Sequence, residues 1–201
     1  MLFKIKIMNK KEEMDKIEKE ILNLKKSPLY KERILNKMLP VIGEGSLNAK
    51  IFFIGEAPGK KESETGKPFC GASGKILDEL LDYIKLDRKK VYVTNIVKDR
   101  PPKNRDPKPE EIEIYVPFLD KQIEIIKPKI IATLGRFSME YIMNRYGLSK
   151  EYDVISKTHG KVFSTKIGKH NVTIAPLYHP AVAVYNRNKL PELKKDFKVL
   201  K

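Results

Sequence analysis

Short apolar runs alternating with helical spacing limit what this chain can fold into. Residues 50–54 (KIFFI), 91–97 (VYVTNIV), 129–134 (KIIATL) and 172–176 (VTIAP) read as buried strands. Between and after them, residues 75–85, 109–126, 136–146 and 190–200 space their apolar side chains as helices do, with Pro117 a candidate kink. A further helix over 11–26 carries Met14, Ile17, Ile21 and Leu24 on one face, acidic residues at its start, and Lys25 and Lys26 at its end. Residues 27–45, with Pro28, Pro40, Gly43 and Gly45, read as a loop, and 161–164 as a fifth strand-like segment. Strands alternating with helices predict a three-layer α/β/α sandwich around a central, mostly parallel four-stranded sheet. One domain spans residues 1–201, with 1–10 as an N-terminal extension.

In such folds ligands bind beyond the carboxyl ends of the strands. The loops that matter therefore begin at Gly55, Asn95, Gly135 and His179. The first is Gly55-Glu56-Ala57-Pro58-Gly59, two glycines around a carboxylate, which matches neither a Walker loop nor GxGxxG. Taken alone it is also a good strand-to-helix turn. Phe69 sits in GKPFCG at 66–71, either as an aromatic platform for a base or as a loop anchor in the core. Asn95 ends a strand, where a carboxamide can read a nucleobase edge or cap a turn. His179, before Pro180, can stabilise a developing oxyanion or pack beneath the turn. An acidic turn, a loop Phe, a strand-end Asn and a loop His meeting at one sheet edge is harder to assign to packing than any one of them.

Charge points to the partner. The chain has 41 Lys plus Arg against 26 Asp plus Glu, a formal net charge of +15, which favours a polyanion such as DNA. A Lys-rich, heat-adapted surface is the competing explanation. Cys70 is the single cysteine, and His159, His170 and His179 lack metal-ligand spacing, so no disulfide, zinc ribbon or other metal site is expected. No apolar run reaches the ~20 residues needed to span a bilayer, and MLFKIKIMNK is too short for a signal peptide. A soluble, cytoplasmic monomer with no membrane association is expected.

Longer motifs carry a resemblance. GEAPGKKESETGKPFCGASGKIL at 55–77, VYVTNIVKDRPPKNRDPKPEEI at 91–112 and YHPAVAV at 178–184 resemble the family 4, archaeal and thermophile type, uracil-DNA glycosylases. IIATLG at 130–135 and THG at 158–160 extend the likeness, which covers roughly residues 21–200. It implies excision of uracil from DNA by a monofunctional enzyme that leaves an abasic site. It also implies that Phe69 stacks on the flipped base, Asn95 reads its O4 and N3–H, His179 faces O2 and the Ala57 backbone lines the pocket. By the same resemblance Glu56 supports the water or the cationic sugar, Glu62 crowds C5 against a thymine methyl, and the stretch from Pro180 through Val184 to Tyr185 wedges into the duplex. Lys60, Lys98, Arg100, Lys103 and Arg105 are candidate phosphate contacts. Alternatives are a glycosylase for another deaminated base, such as hypoxanthine or xanthine, and a non-catalytic nucleic-acid-binding relative.

One departure is large. The resemblance implies a [4Fe–4S] cluster on four cysteines, yet Leu24, Ser27, Asp99 and Tyr115 occupy the matching positions. No cofactor is therefore expected, and packing of Leu24 and Tyr115 with polar contacts from Ser27 and Asp99 is expected to hold that corner.

Overall fold

The computed structural model describes residues 8–201; most of the N-terminal extension expected at 1–10 lies outside them. In chain order the elements are α1 (Lys10–Leu22), α2 (Pro28–Leu35), β1 (Glu44–Gly45), β2 (Ile51–Gly55), α3 (Lys60–Thr65), α4 (Ala72–Tyr83), β3 (Tyr92–Asn95) and α5 (Pro109–Ile126). Then follow β4 (Ile130–Leu134), α6 (Arg136–Arg145), α7 (Ile155–Thr158), β5 (Phe163–Ile167), β6 (His170–Leu177), α8 (Ala181–Tyr185) and α9 (Leu190–Phe197). No helix among the described residues is long and apolar enough to cross a membrane.

The sheet has six strands in the order β1-β3-β2-β4-β6-β5, not the four expected. The central four, β3-β2-β4-β6, are parallel neighbours and are the four apolar runs of the sequence. The two additions are antiparallel edges. β1 is two exposed residues, too short and polar to leave a pattern. β5 alternates half-buried with exposed residues and joins β6 through Gly168 at φ +59°. Because side chains alternate along a strand, Phe52 and Ile54 face one core with α1, α5 and α6. Ile51 and Phe53 face the other with α4 and α9. The three layers follow from that alternation. Burial of each large apolar side chain contributes roughly 1.5–3 kcal/mol.

Residues 28–35, loop by sequence pattern, form α2. Ser27 caps it, its hydroxyl accepting from the Leu29 N–H at 3.2 Å, and Pro28 opens its first turn. The helix seats a buried arginine. Arg33 pairs with Asp99 at 3.0 Å, and its guanidinium also donates to the carbonyls of Ile21 and Leu22 where α1 ends. Asp99 accepts in turn from the Tyr115 hydroxyl at 2.5 Å, and Ser27 Oγ lies 2.8 Å from the same hydroxyl. Burial pushes the Asp99 carboxyl up, against the opposing pull of Tyr115 and Arg33. Leu24 is buried in the adjoining core. This is the corner expected to be held by Leu24, Ser27, Asp99 and Tyr115, with Arg33 as a fifth member that no sequence pattern reveals.

Removing one partner of a buried ion pair leaves the other charge uncompensated. Arg33→Met is therefore expected to lower unfolding free energy by about 3–5 kcal/mol, measured by urea denaturation. Tyr115→Phe, which removes a hydroxyl bonded on both sides, should cost about 1–3 kcal/mol. Loss of less than about 0.5 kcal/mol in both would show that packing alone holds the corner.

Candidate active site

Three strand ends and one loop build a cavity of about 240 Å³. β2 runs into Gly55-Glu56-Ala57-Pro58-Gly59 and then α3; β3 ends at Asn95; β6 leads through Tyr178 to His179. Glu56, Ala57, Glu62, Phe69, Asn95 and His179 all line the cavity, as do Val184 and Tyr185 of α8. Candidate residues from four separate stretches of sequence thus meet.

Close approach explains Gly55. A Cβ there would lie 2.3 Å from Asn95 Oδ1 and 2.7 Å from Phe69 Cζ, so any side chain would displace both. Asn95 is 2% exposed, and its carboxamide makes no hydrogen bond to any other described residue. The residue as a whole is buried, but its amide atoms open into the cavity, where they are free to pair with a ligand.

The Phe69 loop is pinned from two sides. Glu62 Oε1 accepts from the N–H groups of Cys70 and Gly71 at 3.0 and 2.7 Å. Arg88 donates to the carbonyls of Pro68 and Phe69 at 2.8 and 3.2 Å. The loop thereby holds Phe69 in the left-handed region, at φ +49°. Its ring lies 5.6 Å from that of His179, tilted by 32°.

His179 has a defined tautomer. The Ala181 N–H donates to its Nδ1 at 3.1 Å, so the neutral ring carries its proton on Nε2. Burial lowers its pKa to about 4, with Glu62 pulling weakly the other way. Gly135 packs closely behind it: the residue sits at φ +94°, and a Cβ added there would lie only 3.2 Å from His179 Cβ. His179 is therefore a neutral donor at pH 7. Tyr178, the preceding residue, stacks on His159 at 4.0 Å, and His159 is held by Asp196 at 2.7 Å.

Glu56 is shifted the opposite way. Burial raises its pKa to about 7; Asp106 adds to the rise and Arg136 opposes it. Asp106 and Arg136 form an ion pair with each other at 2.5 Å. Neither stands out in the sequence, although Arg136 directly follows the loop glycine at 135.

The basic residues divide. Lys98, a candidate phosphate contact by sequence, is 0% exposed and cannot reach DNA. Arg105 is half-buried, lines the cavity and spends its charge on the buried Glu111 carboxylate, at 2.5 Å. Lys60 and Lys103 are exposed, and Arg100 is half-buried with its Nε donating to Asn104 at 2.7 Å. In the wedge stretch Pro180 is buried, Val184 is 42% exposed and Tyr185 89%.

The residues at the cluster positions do not suit an iron–sulfur cluster. Leu24 has no donor atom, and the oxygens of Ser27, Asp99 and Tyr115 are committed to one another and to Arg33. Cys70 lies in the cavity loop, 3.2 Å from Thr65 Oγ1. Among the described residues no three His, Cys, Asp or Glu side chains are grouped to hold a metal ion.

The chain is similar to known proteins over most of its length. It is 43% identical over 189 residues to a type-4 uracil-DNA glycosylase of Sulfurisphaera tokodaii, covering 94% of this chain and 83% of that one. It is 42% identical to the type-4 uracil-DNA glycosylase of Archaeoglobus fulgidus, covering 93% of this chain and 91% of that one. It is 40% identical to that of Thermotoga maritima, covering 77% and 76%. The family model of the uracil DNA glycosylase superfamily matches residues 42–201, the span that carries every strand and the whole cavity, and the chain belongs to that superfamily.

Proposed function

We propose that this protein is a monofunctional uracil-DNA glycosylase, which takes uracil out of the DNA stack, hydrolyses its N-glycosidic bond and leaves an abasic site. The observation that carries the reading is the Asn95 carboxamide, unpartnered within the described residues, lining one cavity with Phe69 and the neutral, Nε2-protonated His179. The likeness to type-4 uracil-DNA glycosylases supports it. The protein acts inside the cell, as a monomer, on uracil-containing DNA.

Extruding the base costs a few kcal/mol. Phe69 stacking, worth ~1–3 kcal/mol, and phosphate contacts offset that cost. Asn95 pairs with O4 and N3–H of uracil, satisfying both ends of its amide. Glu62, which braces the Phe69 loop, stands where a C5 methyl would enter. As the glycosidic bond breaks, its electrons move onto uracil and negative charge grows at O2. The His179 Nε2–H donates to that oxygen without itself losing a proton. Positive charge grows on the sugar. Glu56, as a carboxylate, stabilises it and orients the attacking water, whose oxygen bonds to C1′ as one of its protons passes to Glu56. Val184 and Tyr185 fill the space the base has left. No step uses a metal or an iron–sulfur cluster.

Direct measurement of free uracil released from a uracil-containing oligonucleotide tests the proposal. Absence of release under single-turnover conditions would overturn it. His179→Ala should slow the chemical step by on the order of 10²-fold while changing affinity for uracil-containing DNA far less, because the donor meets charge that exists only as the bond breaks. Equal losses in rate, affinity and melting temperature would make His179 scaffolding.

Glu56 gives the pH dependence. Its carboxyl is neutral below its raised pKa and ionised above it, so the single-turnover rate should rise with pH through about 7. His179, neutral above about 4, adds no limb in that range. Glu56→Gln should abolish the rise; a rise that persists in that variant would assign it to another group.

With Lys98 buried and Arg105 paired, Lys60, Arg100 and Lys103 remain as phosphate contacts from the set. Three such contacts give a log–log salt slope of about −3 on duplex DNA. Arg100→Glu should weaken binding to uracil-containing and normal duplex equally, read by fluorescence anisotropy across salt concentrations. Salt-insensitive binding would remove these residues from the DNA interface.

A further inference from the structure

Lys98 is the one lysine among the largest fully buried side chains, and it has no carboxylate partner among the described residues. Its Nζ donates to Thr94 Oγ1, the Asn95 carbonyl and Gln122 Oε1, each at 2.7 Å. None of these three can give a hydrogen in return. Thr94 commits its own proton to the Ile42 carbonyl at 2.7 Å, and the other two are carbonyl oxygens. Three acceptors use the three hydrogens of an ammonium. Burial meanwhile holds its pKa well below the ordinary lysine value.

The placement is specific. Asn95 closes β3; the Ile96 and Val97 N–H groups beyond it still donate to the Gly55 and Glu56 carbonyls, each at 3.0 Å, but no backbone N–H from outside the sheet ladder donates to the Asn95 carbonyl. Lys98, three residues on, folds back and supplies the missing donor. Gln122 of α5 anchors the lysine and donates to the Ile42 carbonyl at 2.9 Å, which ties α5, β3 and the chain before β1 to one point. Lys98 does not line the cavity, so it touches neither a base nor a phosphate. It holds the main chain of the residue whose side chain does line it.

We propose that Lys98 is a positioning residue for uracil recognition: by clamping the Asn95 carbonyl to Thr94 and Gln122, it fixes the strand end from which the Asn95 carboxamide meets the base. The inference rests on the uracil-pocket reading above. A lysine that merely fills the core would affect stability and nothing else.

The experiment compares wild type, Lys98→Met and Thr94→Val by four readouts, all taken well below each melting temperature. These are single-turnover uracil release, inhibition by free uracil, affinity for uracil-free duplex, and melting temperature. Free uracil reports on the pocket without the DNA backbone. Lys98→Met should slow release by about 10- to 100-fold and weaken free-uracil inhibition about tenfold, amounts set by about 1.4 kcal/mol for each factor of ten. Affinity for uracil-free duplex should stay within about twofold, since no phosphate contact is lost. Thr94→Val keeps the strand's shape and removes one of the three acceptors, so it should move the same two readouts in the same direction by a smaller factor. It also serves if Lys98→Met does not fold. A folded Lys98→Met with wild-type release and uracil inhibition would overturn the inference, as would Thr94→Val with both unchanged where it alone folds. A loss confined to duplex affinity would overturn it too. If wild type itself releases no uracil, the enzyme reading fails and the inference falls with it; active wild type with unaffected variants sinks the inference alone.

Discussion

Parallel, in-register pairing of β2 with β3 sets Gly55 directly beside Asn95, and the cavity depends on that one register. A slip of one residue would turn every side chain of the strand to the opposite face. Asn95 would then leave the cavity and Thr94 would replace it. The register is secured by shape, because Phe52 and Ile54 fill one core and Ile51 and Phe53 the other, and a slip would exchange side chains of different size in two close-packed interiors. The ring of Phe52 stacks on Tyr92 across the same pair of strands, at 5.2 Å. The hydrophobic pattern thus does more than form a core. It fixes where a carboxamide stands to within the spacing of one residue.

Onto that frame the protein sets two titratable groups whose surroundings drive them apart. Burial raises Glu56 to about 7 and lowers His179 to about 4. Desolvation is the leading cause of both, and its sign differs because it disfavours whichever form is charged. The outcome is an acid that changes charge near neutrality beside an imidazole that does not. For departure of an anionic base from a cationic sugar this is the useful arrangement. On the proposed mechanism the donor at O2 keeps its proton throughout, while charge at the sugar side is available above neutral pH. The chain's net charge of +15 works at longer range, drawing the polyanion in without choosing a base.

Much of this is legible in the residues. The four central strands, α5 with its internal Pro117, and the meeting of Glu56, Phe69, Asn95 and His179 all carry local signals: apolar runs, helical spacing, glycines beside strand ends. What escapes has physical reasons. α2 is short and buries Arg33, a residue type that reads as surface, so only Ser27-Pro28 marks it. β1 has no apolar face at all. Lys98 stands in a basic stretch that suggests DNA contact, but charge composition reports nothing about the direction a side chain takes. Its burial depends on Gln122, 24 residues away, an acceptor no local rule connects to it. Arg105 belongs to the same basic stretch, yet Glu111 neutralises it one turn into α5.

The corner at Leu24, Ser27, Asp99 and Tyr115 and the cavity are parts of one continuous structure. Asn95, Lys98 and Asp99 lie within five residues of chain, and two of the buried ionisable side chains are in that stretch. Lys98 reaches back to β3 and across to α5, whereas Asp99 reaches Arg33 of α2 and, through Tyr115, a point about two turns earlier on the same face of α5. The strand end that presents Asn95 is therefore clamped by a lysine, the aspartate that follows it ties the same stretch to α2, and α5 receives both. A cross-link of iron and sulfur would need four thiolates that this chain does not have. An arginine capping the end of α1 and pairing with Asp99 instead joins α1, α2, the chain after β3 and α5 by directional hydrogen bonds. Such a network holds its geometry only while every member is satisfied, because a buried charge with a missing partner costs more than the pair contributes. The cavity requires that the strand end be held still, and it does not depend on whether thiolates or oxygens do the holding.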